Sequence, residues 1–274
     1  MSHIKEEKID VVILTKNSVE PCLKECLDSI YHNTPVNRLL VIDGGSTDDT
    51  LKLVQKYPRV EVIDDSHGNR ATARQKGIEA VETTWHIHVD SDVVLCKDWF
   101  RKAISYMKPD VGAIWGVTIP KNKHVFNMAR SMAMLYRKDV IDWIMQQQHL
   151  KRYLTHDTLI RTEVVKDIKI PRELHIWEDH YIGNHIVSKG YKWIKTKEPC
   201  CIHYFHERRS FEDFVNSGRL ARKVNAYTNR QVLLRLTLAI PKSFWIFAST
   251  GDLKAAKLQL ENYVGLAKGW YGNS

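Results

Sequence analysis

The chain has 274 residues, with 41 Lys+Arg against 32 Asp+Glu and a formal net charge of +9. That length buries one substantial α/β core plus a smaller addition. Five cysteines, an odd number, exclude a disulfide framework, and neither Cys22-x-x-x-Cys26 nor Cys200-Cys201 has the spacing of a zinc site.

From Asp10, Val11-Val12-Ile13-Leu14 reads as a strand buried on both faces that stops at the polar turn Thr15-Lys16-Asn17-Ser18 before a helix. Leu39-Leu40-Val41-Ile42 is a second such strand. It ends in Asp43-Gly44-Gly45-Ser46-Thr47-Asp48-Asp49-Thr50, whose glycines permit a tight turn and whose Ser46 or Thr47 is expected to cap the next helix. A third strand over residues 60–63 leads through Asp64-Asp65-Ser66-His67-Gly68-Asn69 into a helix over 70–81. The apolar run 85–89 makes a fourth strand, ending on Asp90-Ser91-Asp92. Strands alternating with helices of about ten to fifteen residues specify a parallel sheet wound by right-handed crossovers. Ligands of such sheets bind beyond the carboxyl ends of the strands, so Thr15, Asn17, Asp43, Asp65, Arg74, Asp90 and Asp92 are expected to share one crevice. Two carboxylates one residue apart just past a buried strand can both reach a divalent cation that in turn holds a diphosphate.

These stretches, Thr15-Lys16-Asn17, Asp43 through Thr50, Gly68-Asn69-Arg70-Ala71-Thr72-Ala73-Arg74-Gln75-Lys76-Gly77-Ile78 and Asp90-Ser91-Asp92, stand in the order and spacing of family 2 glycosyltransferases of the GT-A fold, which the sequence resembles over about residues 9–210. The resemblance implies an α/β, Rossmann-like domain over 1–210, with a mostly parallel central sheet flanked by helices. Residues 9–118 would be its nucleotide-sugar-binding half and 119–210 its acceptor-binding half, followed by basic amphipathic helices over 211–274. It implies that Asp43 and Asp65 accept hydrogen bonds from the nucleobase and ribose of a UDP- or GDP-sugar, that Arg74 faces its diphosphate or base, and that Thr15, Asn17 and Ser91 also line the donor site. Asp92 would bind Mn²⁺ or Mg²⁺ directly, with Asp90 reaching ribose and metal. Gly44 stands where a second acid is frequent and Gln75 where Asn is usual; these departures are expected to bear on donor choice.

Trp177-Glu178-Asp179-His180 precedes a helical pattern and resembles the family's E-D signature. In inverting members the Asp is the general base, which implies that Asp179 deprotonates the acceptor hydroxyl and that Glu178 supports it or contacts the acceptor. A helix N-terminus favours the same two acids without any chemistry. After strand-like stretches at 191–195 and 200–204, His203-Tyr204-Phe205-His206-Glu207-Arg208-Arg209-Ser210 resembles a further family motif. His206 fits its spacing better than His203 and is expected to complete the metal's coordination, with Arg209 or Arg208 on phosphate oxygens. No Q-x-x-R-W follows Asp179, which favours transfer of a single sugar over processive synthesis.

Residues 121–150 carry a methionine-rich pattern with mixed helical spacing, expected as helices or a flap whose methionines pack in a core or else line an apolar acceptor groove. Residues 1–150 balance 20 basic against 20 acidic side chains, whereas 151–274 carry 21 against 12, so the whole excess lies in the second half. Beyond Ser210, Arg219, Arg222, Lys223, Arg230 and Arg235 adjoin Val232-Leu233-Leu234, Leu238-Ala239-Ile240 and Phe244-Trp245-Ile246-Phe247. Basic beside apolar residues suit a helix lying on an anionic membrane, while Arg235, Pro241 and Lys242 interrupt any spanning run. The charged stretch Met1 to Lys8 is unlike a signal peptide, so the expected location is the cytoplasm, at or against the cytoplasmic face of the membrane. The partners expected are a nucleotide sugar and a glycan or lipid-linked acceptor, and no nucleic acid. The rivals are a sugar-1-phosphate nucleotidyltransferase, which wants a glycine-rich loop that Thr15 to Pro21 lacks, and an inactive basic binding or adaptor module on the same fold.

Overall fold

The structure, a computed structural model, describes residues 8–149, 152–205 and 210–272. In chain order its elements are β1 (Ile9–Thr15), α1 (Leu23–Asn33), β2 (Val36–Asp43), α2 (Thr50–Val54), β3 (Val60–Asp64), α3 (Arg70–Ala80), β4 (Trp85–Asp90), β5 (Val93–Leu95), α4 (Trp99–Ala103), β6 (Val111–Pro120), α5 (Lys123–Leu135) and α6 (Val140–His149). They continue with β7 (Asp157–Arg161), α7 (Thr162–Val165), α8 (Glu178–Ser188), β8 (Lys192–His203), α9 (Phe211–Lys223), α10 (Asn229–Thr237), α11 (Ala239–Thr250) and α12 (Leu253–Tyr271). Two units result, Met1–Thr118 with Tyr153–Tyr204, and Ile119–Arg152 with Phe205–Ser274. The boundary expected at residue 210 is therefore displaced, and residues 119–152 group with the C-terminal helices instead of with the sheet.

The first unit is built on one sheet of order β3-β2-β1-β4-β7-β6-β8-β5. Pairing is parallel for β1–β2, β1–β4 and β2–β3, and antiparallel for β4–β7, β6–β7 and β5–β8. The expected mostly parallel sheet is thus parallel only in its first half. Val11, Val12, Ile13, Leu40, Val41, Ile42, Ile87 and Val89 are buried, as the double-faced reading required. Leu23, Cys26, Leu27 and Ile30 of α1 recur at helical spacing and pack with Trp99 on one side of this core. The N-terminal end of β1 is pinned by the buried Asp10, which accepts hydrogen bonds from Arg38 Nη2 at 2.7 Å, Asn37 Nδ2 at 2.9 Å and the Glu82 N–H at 2.8 Å. The two strands expected over 191–204 are one continuous strand, β8, running through Pro199. Gly116 of β6 makes room for it, because a Cβ there would lie 1.8 Å from the Pro199 carbonyl oxygen.

In the second unit Met132, Ala133, Trp143, Ile246, Ala255 and Ala256 form the core, with Met128 against it, so the methionine pattern is in part packing as expected. Helix α9 crosses α12 at backbone contact: a Cβ on Gly269 would sit 1.8 Å from the Val215 carbonyl oxygen. Asp252 caps α12 through the Ala255 N–H at 3.0 Å and also holds His124 Nδ1 at 2.9 Å and Asn127 Nδ2 at 2.8 Å, tying α5 to α12. Two of the basic side chains on α10 and α11 are turned onto aromatic rings. The Arg235 guanidinium lies over the rings of Tyr227 and Tyr263, and Lys242 Nζ over Tyr263. Outward stand Leu233, Leu236, Ile240, Phe244 and Phe247, Ile240 being 73 % and Phe244 71 % exposed. Among the described residues no single helix is long and apolar enough to cross a membrane; α10 and α11 pass such a test together but are bent by 46°.

Burial pushes the Asp252 carboxyl up, but the Ala255 N–H, Asn127 and His124 together outweigh it and bring it to about 2. Asp10 is likewise lowered: the Arg38 hydrogen bond, the Glu82 N–H, Asn37 and the Arg38 charge outweigh its burial. Carboxylates depressed in the fold contribute stability above their unfolded value of about 4. That stability is lost as pH falls through the folded values. The thermal midpoint should therefore be level above about pH 5 and drop steeply towards pH 2, and Asp252→Ala should cost about 0.5–2 kcal/mol at neutral pH in denaturant melts.

Candidate active site

The carboxyl ends of β3, β2, β1 and β4 lie side by side, with Asp64 opposite Asp43, Asp43 opposite Thr15, and Leu14 opposite Asp90. Strand order reverses at β1, whose neighbours are β2 and β4, and a crevice opens at such a switch point. The loops beyond these ends are cross-linked by the residues singled out from sequence. Asp43 accepts from Thr15 Oγ1 at 2.9 Å, from Ser46 Oγ, and from the N–H groups of Gly45 at 3.0 Å and Ser46 at 2.8 Å. Four donors fill the roughly four acceptor positions of a carboxylate. Asp43 therefore organises its own turn, and any nucleoside contact must share one of its oxygens. Gly45, with φ +82, supplies the left-handed residue of that turn.

Asn17, itself left-handed at φ 50, accepts through Oδ1 from the Thr47 N–H at 2.8 Å, while its own N–H donates to Ser46 Oγ at 2.9 Å. Ser46 and Thr47 are thereby engaged elsewhere, and the expected cap of α2 is corrected: its N-cap is Asp49, with no side-chain capping bond. Ser91 Oγ donates to Ser18 Oγ at 3.1 Å, joining the β4 loop to the β1 loop across the switch point. Asp65 is buried against Lys76 Nζ at 2.9 Å and Thr72 Oγ1 at 2.8 Å, and Gly68 is needed there because a Cβ would fall 2.0 Å from Asp65 Oδ2.

Arg74 does not face outward. It is 2 % exposed, its Nη2 paired with Asp90 Oδ1 and its Nη1 3.1 Å from His88 Nδ1. Guanidinium only donates, so His88 Nδ1 accepts and the ring is the Nε2–H tautomer. Burial, followed by the Arg74 charge, holds that imidazole neutral, well below the usual histidine value. Asp90 keeps 34 % of its side chain exposed. Its burial would raise the carboxyl, but Arg74, then His156 and His203, outweigh it and keep it below the usual range. Arg74, expected to face the donor's diphosphate or base, here holds Asp90 and favours its charged form.

Asp92 meets His203, with Oδ2 3.2 Å from Nε2. Antiparallel pairing of Val93 with His203 and a Tyr204 N–H bond of 2.9 Å to the Asp92 carbonyl put them side by side. His203 is set against Asp92, while His206, expected from its spacing as the metal ligand, lies with Arg208 and Arg209 outside the described residues. Behind His203, the ring of His156 stands 5.1 Å away, its Nε2 2.5 Å from Thr118 Oγ1, and burial lowers it to about 3. His156, Asp157 and Cys201 are fully interior and close enough to one another to hold an ion. Sequence reasoning passed over His88, His156 and Asp157; the available signal was polar residues inside or opening otherwise apolar strands.

Glu178 and Asp179 begin α8 and are both buried, with Asp179 Oδ1 accepting from the His180 N–H at 2.7 Å. The segment leading to them is tied to α3. Gln75 Oε1 accepts from the Ile170 N–H at 2.9 Å and its Nε2 donates to the Ile168 carbonyl at 3.1 Å, while Asn69 Nδ2 donates to the Arg172 carbonyl at 2.9 Å. Gln75 also donates to Glu79 Oε1 at 2.8 Å.

The family model described as Glycosyl transferase family 2 matches residues 10–169, more than half of the chain. An N-acetylglucosaminyltransferase of Azorhizobium caulinodans is 31% identical over 140 residues, 47% of this chain and 35% of that protein. The chain thus spans about a third of the length of that relative. Among solved structures, the mannosyltransferase PcManGT of Pyrobaculum calidifontis, in complex with GDP-Man and Mn²⁺, is similar at TM-score 0.66 and 15% identity, covering 99% of this chain and 89% of that one. S. aureus TarS 1–349 in complex with UDP-GlcNAc is similar at TM-score 0.56 and 17% identity, covering 96% and 90%. At these identities the likeness establishes the fold.

Replacing Arg74 by Met should raise the Asp90 pKa, read from its side-chain carboxyl ¹³C shift on titration, and should lower the thermal midpoint by leaving Asp90 without its cation.

Proposed function

The chain belongs to glycosyl transferase family 2, and on that premise we propose that it is an inverting, metal-dependent glycosyltransferase moving one sugar from a UDP- or GDP-sugar to an acceptor hydroxyl. The observation that carries this reading is the pair Asp92–His203 beside an Asp90 kept ionised by Arg74, at the carboxyl end of β4. A carboxylate oxygen and an imidazole nitrogen converging within 3.2 Å are a mixed O/N donor set suited to Mn²⁺, with Mg²⁺ served by the carboxylates. Asp92 and His203, with Asp90, are the residues that would hold the ion, and the complex of the Pyrobaculum relative with GDP-Man and Mn²⁺ supports it. The bound cation supplies charge compensation to the departing nucleoside diphosphate.

The chain's own residues do the rest. Thr15, Asn17, Asp43, Asp65 and Ser91 build the cross-linked loops on which the nucleoside rests, and Arg74 sets the angle and charge of Asp90. The acceptor oxygen attacks the anomeric carbon as the bond to the diphosphate oxygen breaks, inverting that centre, and its proton passes to the Asp179 carboxylate. The His180 N–H orients Asp179, and Glu178 contacts the acceptor. We place the acceptor on a lipid-linked glycan precursor at the cytoplasmic membrane face. The support is the stripe Leu233, Leu236, Ile240, Phe244 and Phe247, apolar and outward at helical spacing, beside the exposed Arg230.

With a panel of UDP- and GDP-sugars and Mn²⁺, one donor should release its nucleoside diphosphate in a metal-dependent manner. Asp92→Ala and His203→Ala should lose this, and Asp179→Asn should slow transfer about 10²–10⁴-fold with donor binding retained. Failure of every donor to bind would overturn the reading. In vesicle flotation with anionic lipid, wild type should float and the double variant Ile240→Glu, Phe244→Glu should remain at the bottom while keeping donor hydrolysis.

A further inference from the structure

Outside the groups used above, one pair of reactive side chains comes together from distant sequence. The β5–β8 ladder pairs Val93 with His203, Val94 with Ile202 and Leu95 with Cys201, and the next rung sets Cys96 opposite Cys200, with the Cys96 N–H donating to the Cys200 carbonyl at 3.0 Å. The two thiols are close enough for each to shift the acidity of the other. Residues facing each other across an antiparallel pair have Cα atoms about 4.5–5.5 Å apart, inside the roughly 4.4–6.8 Å that disulfides span. Both side chains are half-exposed, whereas Cys22, Cys26 and Cys201 are buried.

We propose that Cys96 and Cys200 are a reversible oxidation site, closing an intramolecular disulfide by exchange with a small-molecule disulfide such as glutathione disulfide. The chemistry of the pair is asymmetric. The neighbouring Cys96 thiol, helped by Lys102, lowers the Cys200 thiol below the usual thiol range against its partial burial, while Cys200 and burial raise Cys96. Cys200 is therefore the attacking thiolate. It bonds to one sulfur of glutathione disulfide and expels the first glutathione thiolate. Cys96 then loses its proton to solvent and attacks the Cys200 sulfur, and the second glutathione leaves. Two protein thiols are oxidised by two electrons, and one glutathione disulfide is reduced to two thiols.

The place of the cross-link gives it meaning. Strand β5 is three residues long and lies at the edge of the sheet, where a ladder opens most readily. One end of that ladder carries Asp92 and His203 and the other carries the two cysteines. A disulfide would close the open end of the ribbon that presents the Asp92–His203 pair. The proposal does not rest on the reaction assigned above, and its test needs no turnover.

The full chain is incubated with glutathione disulfide at neutral pH, quenched with an alkylating agent under denaturing conditions, and mapped by mass. The expected product has lost two hydrogens, carries linked Cys96 and Cys200 peptides and three alkylated cysteines, and reverts with dithiothreitol. Cys96→Ser should instead trap glutathione on Cys200. Hydrogen exchange at the Cys96 amide should slow at least about tenfold on oxidation, because local opening is suppressed. Glutathione persisting on the wild-type cysteines, or both remaining open to alkylation, would overturn the proposal.

Discussion

A buried guanidinium without an anion costs several kcal/mol, and Arg74 meets that requirement with Asp90. The pair joins the second turn of α3 to the last residue of β4, so the helix cannot shift along the sheet without breaking it. The same helix reaches in two further directions. Thr72 and Lys76 hold Asp65 at the end of β3, and Asn69 and Gln75 hold the backbone at Arg172, Ile168 and Ile170, ahead of Glu178 and Asp179. One helix thus fixes three of the loops from which the site is built, and the charge state of Asp90 follows from the contact that fixes its position.

The turn after β4 sets the second constraint. With two residues between β4 and β5, the chain leaves the parallel half of the sheet and reappears at the opposite edge, antiparallel to β8. That displacement carries Asp92 to His203, a residue over a hundred positions later. It also gathers His156, Asp157 and Cys201 behind them in the interior, where burial holds His156 neutral and raises the Asp157 carboxyl despite the donors around it. Low dielectric around the Asp92–His203 pair strengthens every electrostatic interaction it makes.

The helical unit follows a different rule. Several of its polar side chains are turned to internal joints, Asp252 to His124 and Asn127, Arg235 and Lys242 to tyrosine faces, and its surface keeps an apolar stripe on α10 and α11. Cation–π contacts satisfy the basic groups without solvent, so net charge counted along the chain does not describe the face that these helices present.

The strands of the first half, the turns that end them and the acids placed there were legible in the sequence because each depends on neighbours within a few residues: a buried run of Val, Ile and Leu, then Gly, Asn or Asp. The family followed from the order of those motifs. Partnership was not legible. Nothing local distinguishes an Arg74 that faces solvent from one buried on Asp90, a His203 that meets Asp92 from one that does not, a Gln75 that reads a ligand from one that holds backbone, or a Cys96 that meets Cys200. The β5–β8 ladder decided which histidine and which cysteine meet Asp92 and Cys96, and the seating of α3 against β4 and the 168–172 segment decided Arg74 and Gln75, because such contacts join residues whose separation in sequence leaves no periodic trace. Local propensity determined the elements and their ends, and long-range strand pairing with burial decided which charges meet.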